Sequence, residues 1–298
     1  MEQLDQASTD FQFAKLKEKV TEELGFQTQH YSDRHLRRRF KIRMRNVGAR
    51  TPQRYMKYLD ENPPERQKLL DVLTVNVTEW FRNPAVYKKI KSKTLPDIIS
   101  KSFDYGAELR FKKYKDRMVP SIEETAKIQK RKHLRFWSVG CSDGKEPYSL
   151  AMCVKDALGE ATNLRVNIFA WDIDDAMLKK AREALYKWDD LKGLEPEHLE
   201  KYFIKEKEGY RVSPEIRAMV FFEKKDLHKD VKRKWIDLIM CRNVVIYLTK
   251  ERKADLYLEF YNSLRPGGYY IMGMSETLLG TARTLFKSTD NTLKIYQK

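Results

Sequence analysis

The chain has 298 residues, enough for one large or two modest domains. Hydrophobic residues make up 41% and charged residues 34%, so a core can form beneath a strongly charged surface, and no apolar run approaches the length of a membrane span. Lys and Arg number 59 against 43 Asp and Glu, and the net charge of +16 directs the chain toward nucleic acid, an anionic membrane or an acidic protein surface.

The first residues, Met-Glu-Gln-Leu-Asp-Gln, are polar and acidic, unlike a signal peptide, so a cytoplasmic protein is expected. Residues 10–92 read as a small all-helical domain. Phe11, Phe13, Leu16, Val20 and Leu24 recur at helical spacing, Gly25 can end that helix, and Ser32 can cap the next. Residues 52–60 and 63–75 continue the pattern with proline near each start. Between Ser32 and Arg45 an apolar stripe of Leu36, Phe40 and Met44 is flanked by Arg34, Arg37, Arg38, Lys41 and Arg45. This is either a solvated face or a docking surface. Residues 93–131 are basic and weakly patterned, and read as a linker with an insert before a second domain at 132–298.

The second domain opens with an apolar strand, Leu134 to Val139, then a turn bracketed by Gly140 and Gly144 and a helix from about Glu146. Strand, glycine turn and helix form the nucleotide corner of a doubly wound α/β domain. A dinucleotide fingerprint needs two further glycines, where this chain has Ser142 and Lys145. Without a pyrophosphate cradle, a nucleoside lacking phosphates fits better, which points to S-adenosylmethionine. A second buried strand, Arg165 to Trp171, ends in Asp172-Ile173-Asp174. Asp172 is placed to accept from both ribose hydroxyls, and Asp174 to cap the next helix, unless both aspartates serve only as caps. A third strand in Trp235–Tyr247 ends in Arg242 and Asn243, at the strand tip where open α/β sheets bind ligands. A further strand follows the Pro-Gly-Gly turn at 266–268. Residues 200–223 break the alternation: Tyr202–Lys205, Glu208–Val212 and Ala218–Phe222 read as short strands of an inserted antiparallel flap. Cys141, Cys153 and Cys241 lack paired metal spacing and read as buried thiols, so no metal site is expected.

Trp80-Phe81-Arg82, Glu146-Pro147-Tyr148-Ser149, Asp172-Ile173-Asp174 and Cys241-Arg242-Asn243-Val244 with Ile246-Tyr247 stand in this order. With them the chain closely resembles the CheR family of chemotaxis receptor methyltransferases from about residue 10 to its end. The resemblance implies a Rossmann-like class I methyltransferase domain with a small antiparallel β-subdomain, preceded by an all-helical domain. It implies methyl transfer from S-adenosylmethionine to glutamate side chains in the cytoplasmic helical region of chemoreceptors, giving methyl esters and S-adenosylhomocysteine. Asn76, Thr78, Arg82, Gly140, Glu146, Asp172, Asp226, Leu227, Arg242 and Asn243 fall at positions expected to bind the cofactor. Arg82 and Tyr247 are the candidates for the chemistry, and the basic helix for receptor docking. The chain departs from the family in two places. Lys145 replaces an acid and is expected at the surface, and Asp226-Leu227 stands where Asn-Leu is usual. The turn Lys205–Tyr210 is short with a single glycine, so no tether to a receptor C-terminal peptide is expected. Neither nucleic-acid binding nor membrane insertion is expected. The alternatives are a methyltransferase of another acidic or RNA substrate, and a binding module that senses the cofactor.

Overall fold

Proline and capping residues punctuate the N-terminal unit, which consists of α1 (Glu2–Leu24), α2 (Asp33–Asn46), α3 (Pro52–Glu61) and α4 (Pro63–Thr74). The computed structural model describes residues 2–74, 76–101, 133–159, 164–229 and 233–298. Proline at the first position of α3 and α4 gives up an amide that would have no helical partner. The Thr51 hydroxyl accepts the Arg54 amide at 3.3 Å, while Ser32 holds the cap position of α2 without a side-chain bond. The helices bury Phe13, Leu16, Val20, Leu36, Phe40, Tyr55, Leu69 and Leu73 in one cluster. Arg43 turns inward from the basic helix. Its Nε and Nη2 donate to Glu65 at 2.8 and 2.6 Å, and the Tyr55 hydroxyl donates to the same carboxylate at 2.9 Å. These bonds let a charge pair sit among apolar neighbours.

The expected first domain runs to residue 92, but core membership changes between Leu73 and Trp80. Trp80, Phe81, Val86, Tyr87, Ile90, Leu95 and Ile98 all join the core of the sheet domain. They lie on a turn and on α5 (Pro84–Lys89), which continues through a wide π turn (Ile90–Thr94) into helical residues 95–101. The remainder of the expected linker, 102–131, lies outside the described residues.

The main sheet has the strand order β6-β2-β1-β7-β8-β10-β9. It comprises β1 (His133–Val139), β2 (Arg165–Asp172), β6 (Val220–Lys224), β7 (Ile236–Cys241), β8 (Leu264–Met272), β9 (Lys287–Asp290) and β10 (Ile295–Gln297). The pairings β6·β2, β2·β1, β1·β7 and β7·β8 are parallel, and β10 runs antiparallel to both β8 and β9. Strand alternation divides β1 between two cores. Leu134 and Phe136 join one cluster, and Trp137 and Val139 the other. Helices α6 (Lys145–Leu158), α7 (Asp175–Glu183) and α10 (Lys250–Ser263) connect or cover the strands, with α8 (Pro196–Tyr202), α9 (Pro214–Arg217) and α11 (Ala282–Leu285) as shorter pieces. The order reverses at β1, flanked by β2 on one side and β7 on the other, which opens a crevice at their carboxyl ends.

The flap is a separate antiparallel sheet of order β3-β5-β4, made of β3 (Leu185–Tyr186), β4 (Phe203–Glu206) and β5 (Gly209–Val212). The third strand expected there is a correction. Val220–Lys224 pairs parallel with β2, Ile168 opposite Val220, and forms the edge of the main sheet. The flap takes its third strand from upstream instead, at Leu185–Tyr186.

Candidate active site

The glycine turn is folded back on β2. The amides of Gly140 and Cys141 both donate to the Trp171 carbonyl, at 2.8 and 2.9 Å. Gly140 has φ 74°, and a Cβ there would lie 2.3 Å from Val244 Cγ2, so both conformation and space require glycine. Ser142 adopts φ 49° where a dinucleotide fingerprint has glycine. Its amide donates to Asp172 Oδ2 at 2.7 Å, a charge-assisted bond that offsets the unfavourable backbone. The other oxygen, Asp172 Oδ1, accepts the Asp174 amide at 3.0 Å. Burial raises the Asp172 carboxyl above its usual range, opposed by those amides. Asp174 caps α7 through the amides of Ala176 and Met177 at 2.9 and 3.1 Å.

Glu146 stands in the first turn of α6 and accepts the Ser138 hydroxyl at 2.8 Å. Arg242, at the tip of β7 and 5% exposed, places Nη1 3.8 Å from Glu146 Oε2 and donates from Nη2 to Asn83 Oδ1 at 2.5 Å. Burial raises the Glu146 carboxyl, with Arg242, Ser138 and Arg82 holding it down.

The N-terminal unit and the segment that follows it complete the walls. Residues 76–79 run along the rim, and Arg82 Nη1 reaches the Val77 carbonyl at 3.4 Å. Asn76 Nδ2 donates to Asp174 Oδ2 at 2.7 Å. On the opposite wall the Ser32 amide donates to the Tyr247 carbonyl, and the Thr249 amide to the His30 carbonyl, both at 2.9 Å. The ring of His35, on α2, lies 4.5 Å from the Tyr247 ring, and His30 stacks on His228 at 4.3 Å. His228 Nδ1 accepts from Arg252 Nε at 3.2 Å. Burial, with His30, Arg252 and Lys229, lowers His228 to about 3, so its imidazole stays neutral at physiological pH.

One cleft of about 1000 Å³, its mouth included, is lined by Asn76, Thr78, Arg82, Gly140, Glu146, Asp172, Asp226, Leu227, Arg242, Asn243 and Tyr247. The fold thus brings together every residue expected at the cofactor or the chemistry. Tyr31, Leu73, Trp171 and Val244 add apolar wall. Ser142 Oγ and Asn243 Oδ1, both on this wall, are buried without a hydrogen-bond partner. Buried polar atoms of that kind call for one. Acceptors, hydroxyl and apolar wall suit a nucleoside joined to an amino acid.

A model of the CheR methyltransferase SAM binding domain matches residues 105–295, more than half of the chain, and one of the CheR methyltransferase all-alpha domain matches 12–74. The chain belongs to the CheR methyltransferase family, the methyltransferases of chemotaxis, and its cofactor is S-adenosylmethionine. It is 29% identical to the chemotaxis protein methyltransferase of Listeria monocytogenes over 263 residues, 88% of each chain. It is 34% identical to chemotaxis protein methyltransferase 1 of Pseudomonas aeruginosa over 223 residues, covering 72% of this chain and 70% of that one. The Salmonella typhimurium chemotaxis protein methyltransferase is 29% identical over 290 residues, 93% of this chain and 87% of that one.

In this CheR chain the residues expected to dock a receptor lie outside the cleft. Arg34, Arg37, Arg38, Lys41 and Arg45 surround a shallow pit on α2, and Arg37 pairs with Asp10 at 2.8 Å while lying over the Phe13 ring. Lys145 is a second correction. It is 6% exposed rather than at the surface, because Asp143 supplies a carboxylate 2.5 Å from its Nζ. The three cysteines are buried and free, and among the described residues no group of His, Cys, Asp or Glu could hold a metal. No described helix is long and apolar enough to cross a membrane. Sequence reasoning missed Tyr31, Ser142, Trp171 and His228 as wall residues. Ser142 and Trp171 had a signal, since each sits inside a motif already singled out. His228 had one too, standing directly after Asp226-Leu227, whereas Tyr31 had none, since it belongs to the N-terminal unit and reaches the cleft through the contact between the two units.

Proposed function

We propose that this protein transfers methyl groups to glutamate side chains in the cytoplasmic helical region of chemoreceptors, forming methyl esters. The observation that carries this reading is the guanidinium of Arg82 on the wall of the cleft that also holds Asp172 and Glu146. A guanidinium grips a carboxylate bidentately, and a glutamate carboxylate is already ionised at neutral pH, with a reference pKa of about 4.3. S-adenosylmethionine brings an electrophilic methyl on a sulfonium. A glutamate oxygen takes the methyl, and no proton has to move. The cleft accordingly needs orienting groups and exclusion of water rather than a base. The wall imidazole, His228, is held neutral and far from the range of a working acid or base.

In this reading Asp172 accepts from the ribose hydroxyls, and Asp226 and Leu227 border the base. Asn76, Thr78 and Glu146 flank the amino-acid end, with Gly140, Arg242 and Asn243 beneath. Arg82 orients carboxylates, and Tyr247 lines the path of the methyl. Helix α2 supports docking, since its His35 ring lies 4.5 Å from the Tyr247 ring and its Arg34, Arg38, Lys41 and Arg45 line a pit on its surface. The flap hairpin joins β4 to β5 with Glu206 opposite Gly209, leaving two residues in the turn, which supports recognition without a peptide tether.

The test is transfer of labelled methyl from S-adenosylmethionine to a receptor fragment, followed by mild base. The expected label leaves as methanol, because esters hydrolyse. Label that survives base on the receptor, or that goes to RNA instead, overturns the reading.

A further inference from the structure

Arg82 is mounted on a turn whose two neighbours both have left-handed backbone, Phe81 with φ 46° and Asn83 with φ 61°. Residues other than glycine keep that conformation only where their surroundings enforce it. Around Phe81 the enforcement is plain. Its amide donates to Ser149 Oγ at 3.1 Å, its ring stacks on His198 at 4.5 Å, and the preceding Trp80 indole donates to the Asp190 carbonyl at 2.8 Å.

Asn83 is different. It occupies the cap position of α5, where an asparagine side chain ordinarily accepts the first helical amides. It makes no such bond. Its Oδ1 is turned the other way and accepts from Arg242 Nη2 at 2.5 Å. Arg242 is itself buried at the cleft, with a side chain 1% exposed and Glu146 3.8 Å away. Among the described residues the guanidinium of Arg82 makes one hydrogen bond, a long one of 3.4 Å to the Val77 carbonyl, beside its attraction to the Glu146 carboxylate. Its aim therefore depends on the backbone that carries it.

We propose that Asn83 is a positioning residue for methyl transfer: its left-handed backbone and its bond to Arg242 aim Arg82 into the cleft. Asparagine is suited to both tasks, since it tolerates the left-handed region and offers an amide oxygen. The proposal rests on the reading of Arg82 as the group that orients carboxylates.

The test is a double-mutant cycle on methyl transfer to a receptor fragment, with affinity for S-adenosylhomocysteine and thermal melting measured alongside. Asn83→Ala should lower kcat about tenfold or more, as small misplacements of an orienting group do. Asn83→Asp tolerates the same backbone, and its carboxylate accepts from Arg242, so it should restore the rate to within about threefold. Introduced into Arg82→Ala, Asn83→Ala should change the rate less than about twofold, because the group it aims is gone. Full activity of Asn83→Ala, or an equal loss in both backgrounds, overturns the inference while leaving Arg82 in its role. If Asn83→Ala melts poorly, Asn83→Gly takes its place, since glycine accepts the backbone without the side chain. A normally melting Asn83→Gly with full activity overturns the proposal equally. Full activity of Arg82→Ala alone overturns the reading of Arg82, and the inference with it.

Discussion

Asp172 serves the turn and, in the proposed reading, the ligand with one carboxylate. Each oxygen spends one lone pair on an amide of the turn, Ser142 or Asp174, and keeps another for the cleft. Asp172→Ala should weaken binding of S-adenosylhomocysteine by about 1–3 kcal/mol, measured by calorimetry, and an unchanged affinity removes Asp172 from the site. Glu276 makes a different prediction. It is buried below the cleft floor, where Oε2 accepts the Gly273 amide at 2.5 Å, and burial raises its carboxyl to about 7. Between its ordinary range near 4.5 and 7 the folded protein keeps a proton that the unfolded chain has released. This contribution to stability is therefore full at low pH and lost as pH rises toward 7. Glu276→Gln should remove that slope. The melting temperature of the variant, taken relative to the parent, should rise from pH 5 to pH 8 by an amount worth at most about 3 kcal/mol. A difference that stays flat with pH sinks the assignment. At this scale the sequence was most legible where chemistry is tied to a strand tip, as for Asp172 and Arg242. It was least legible where burial depends on a partner, as for Lys145 against Asp143 or His228 against His30.

Helix α2 shows one element carrying two kinds of charge. Arg43 is consumed by the fold through Glu65, and Arg37 by Asp10 and Phe13. Arg38 and Lys41 face the pit on the outer surface. Reversing Arg38 and Lys41 together, and sparing Arg37, should weaken engagement of an acidic receptor without changing cofactor affinity. Attraction of this kind is screened over about 8 Å at physiological salt, so activity on receptor should fall with added salt in the parent and less in the variant. Equal salt sensitivity in both argues against a docking helix. The stripe of Leu36, Phe40 and Met44 was legible because helical period alone fixes it, and all three are buried. Strand β6 was visible as a strand, but its partner was not. Val220–Lys224 adjoins the flap in sequence, and only its long-range parallel pairing with β2 assigns it to the main sheet. Residues 80–98 pose the same problem, for a helix period does not say which core receives the buried face.

At the scale of the whole molecule, the cleft exists because two units meet. The bonds from Ser32 to Tyr247 and from Thr249 to His30 close one side, and Asn76 to Asp174 closes the other. In the proposed reading, the field of a net charge of +16 draws an acidic receptor helix toward α2 and the cleft. The flap is farther along the chain's second unit, and its strand β4 lies at an edge of the small sheet, the kind of position to which an extended peptide adds. The hairpin beyond that edge has only two turn residues, Lys207 and Glu208, so it provides no loop to fold over such a peptide. In the proposed reading recognition then falls to the surface beside the cleft. Methylation of a receptor fragment should proceed at nearly the same rate with and without its C-terminal tail, and the free tail peptide should show no measurable binding by calorimetry. A large loss of rate on removing the tail, together with binding of the peptide, would instead assign the tether to β4. The charge-reversed α2 variant separates the two routes. If docking through α2 dominates, its loss of rate should be as large on the truncated fragment as on the full one.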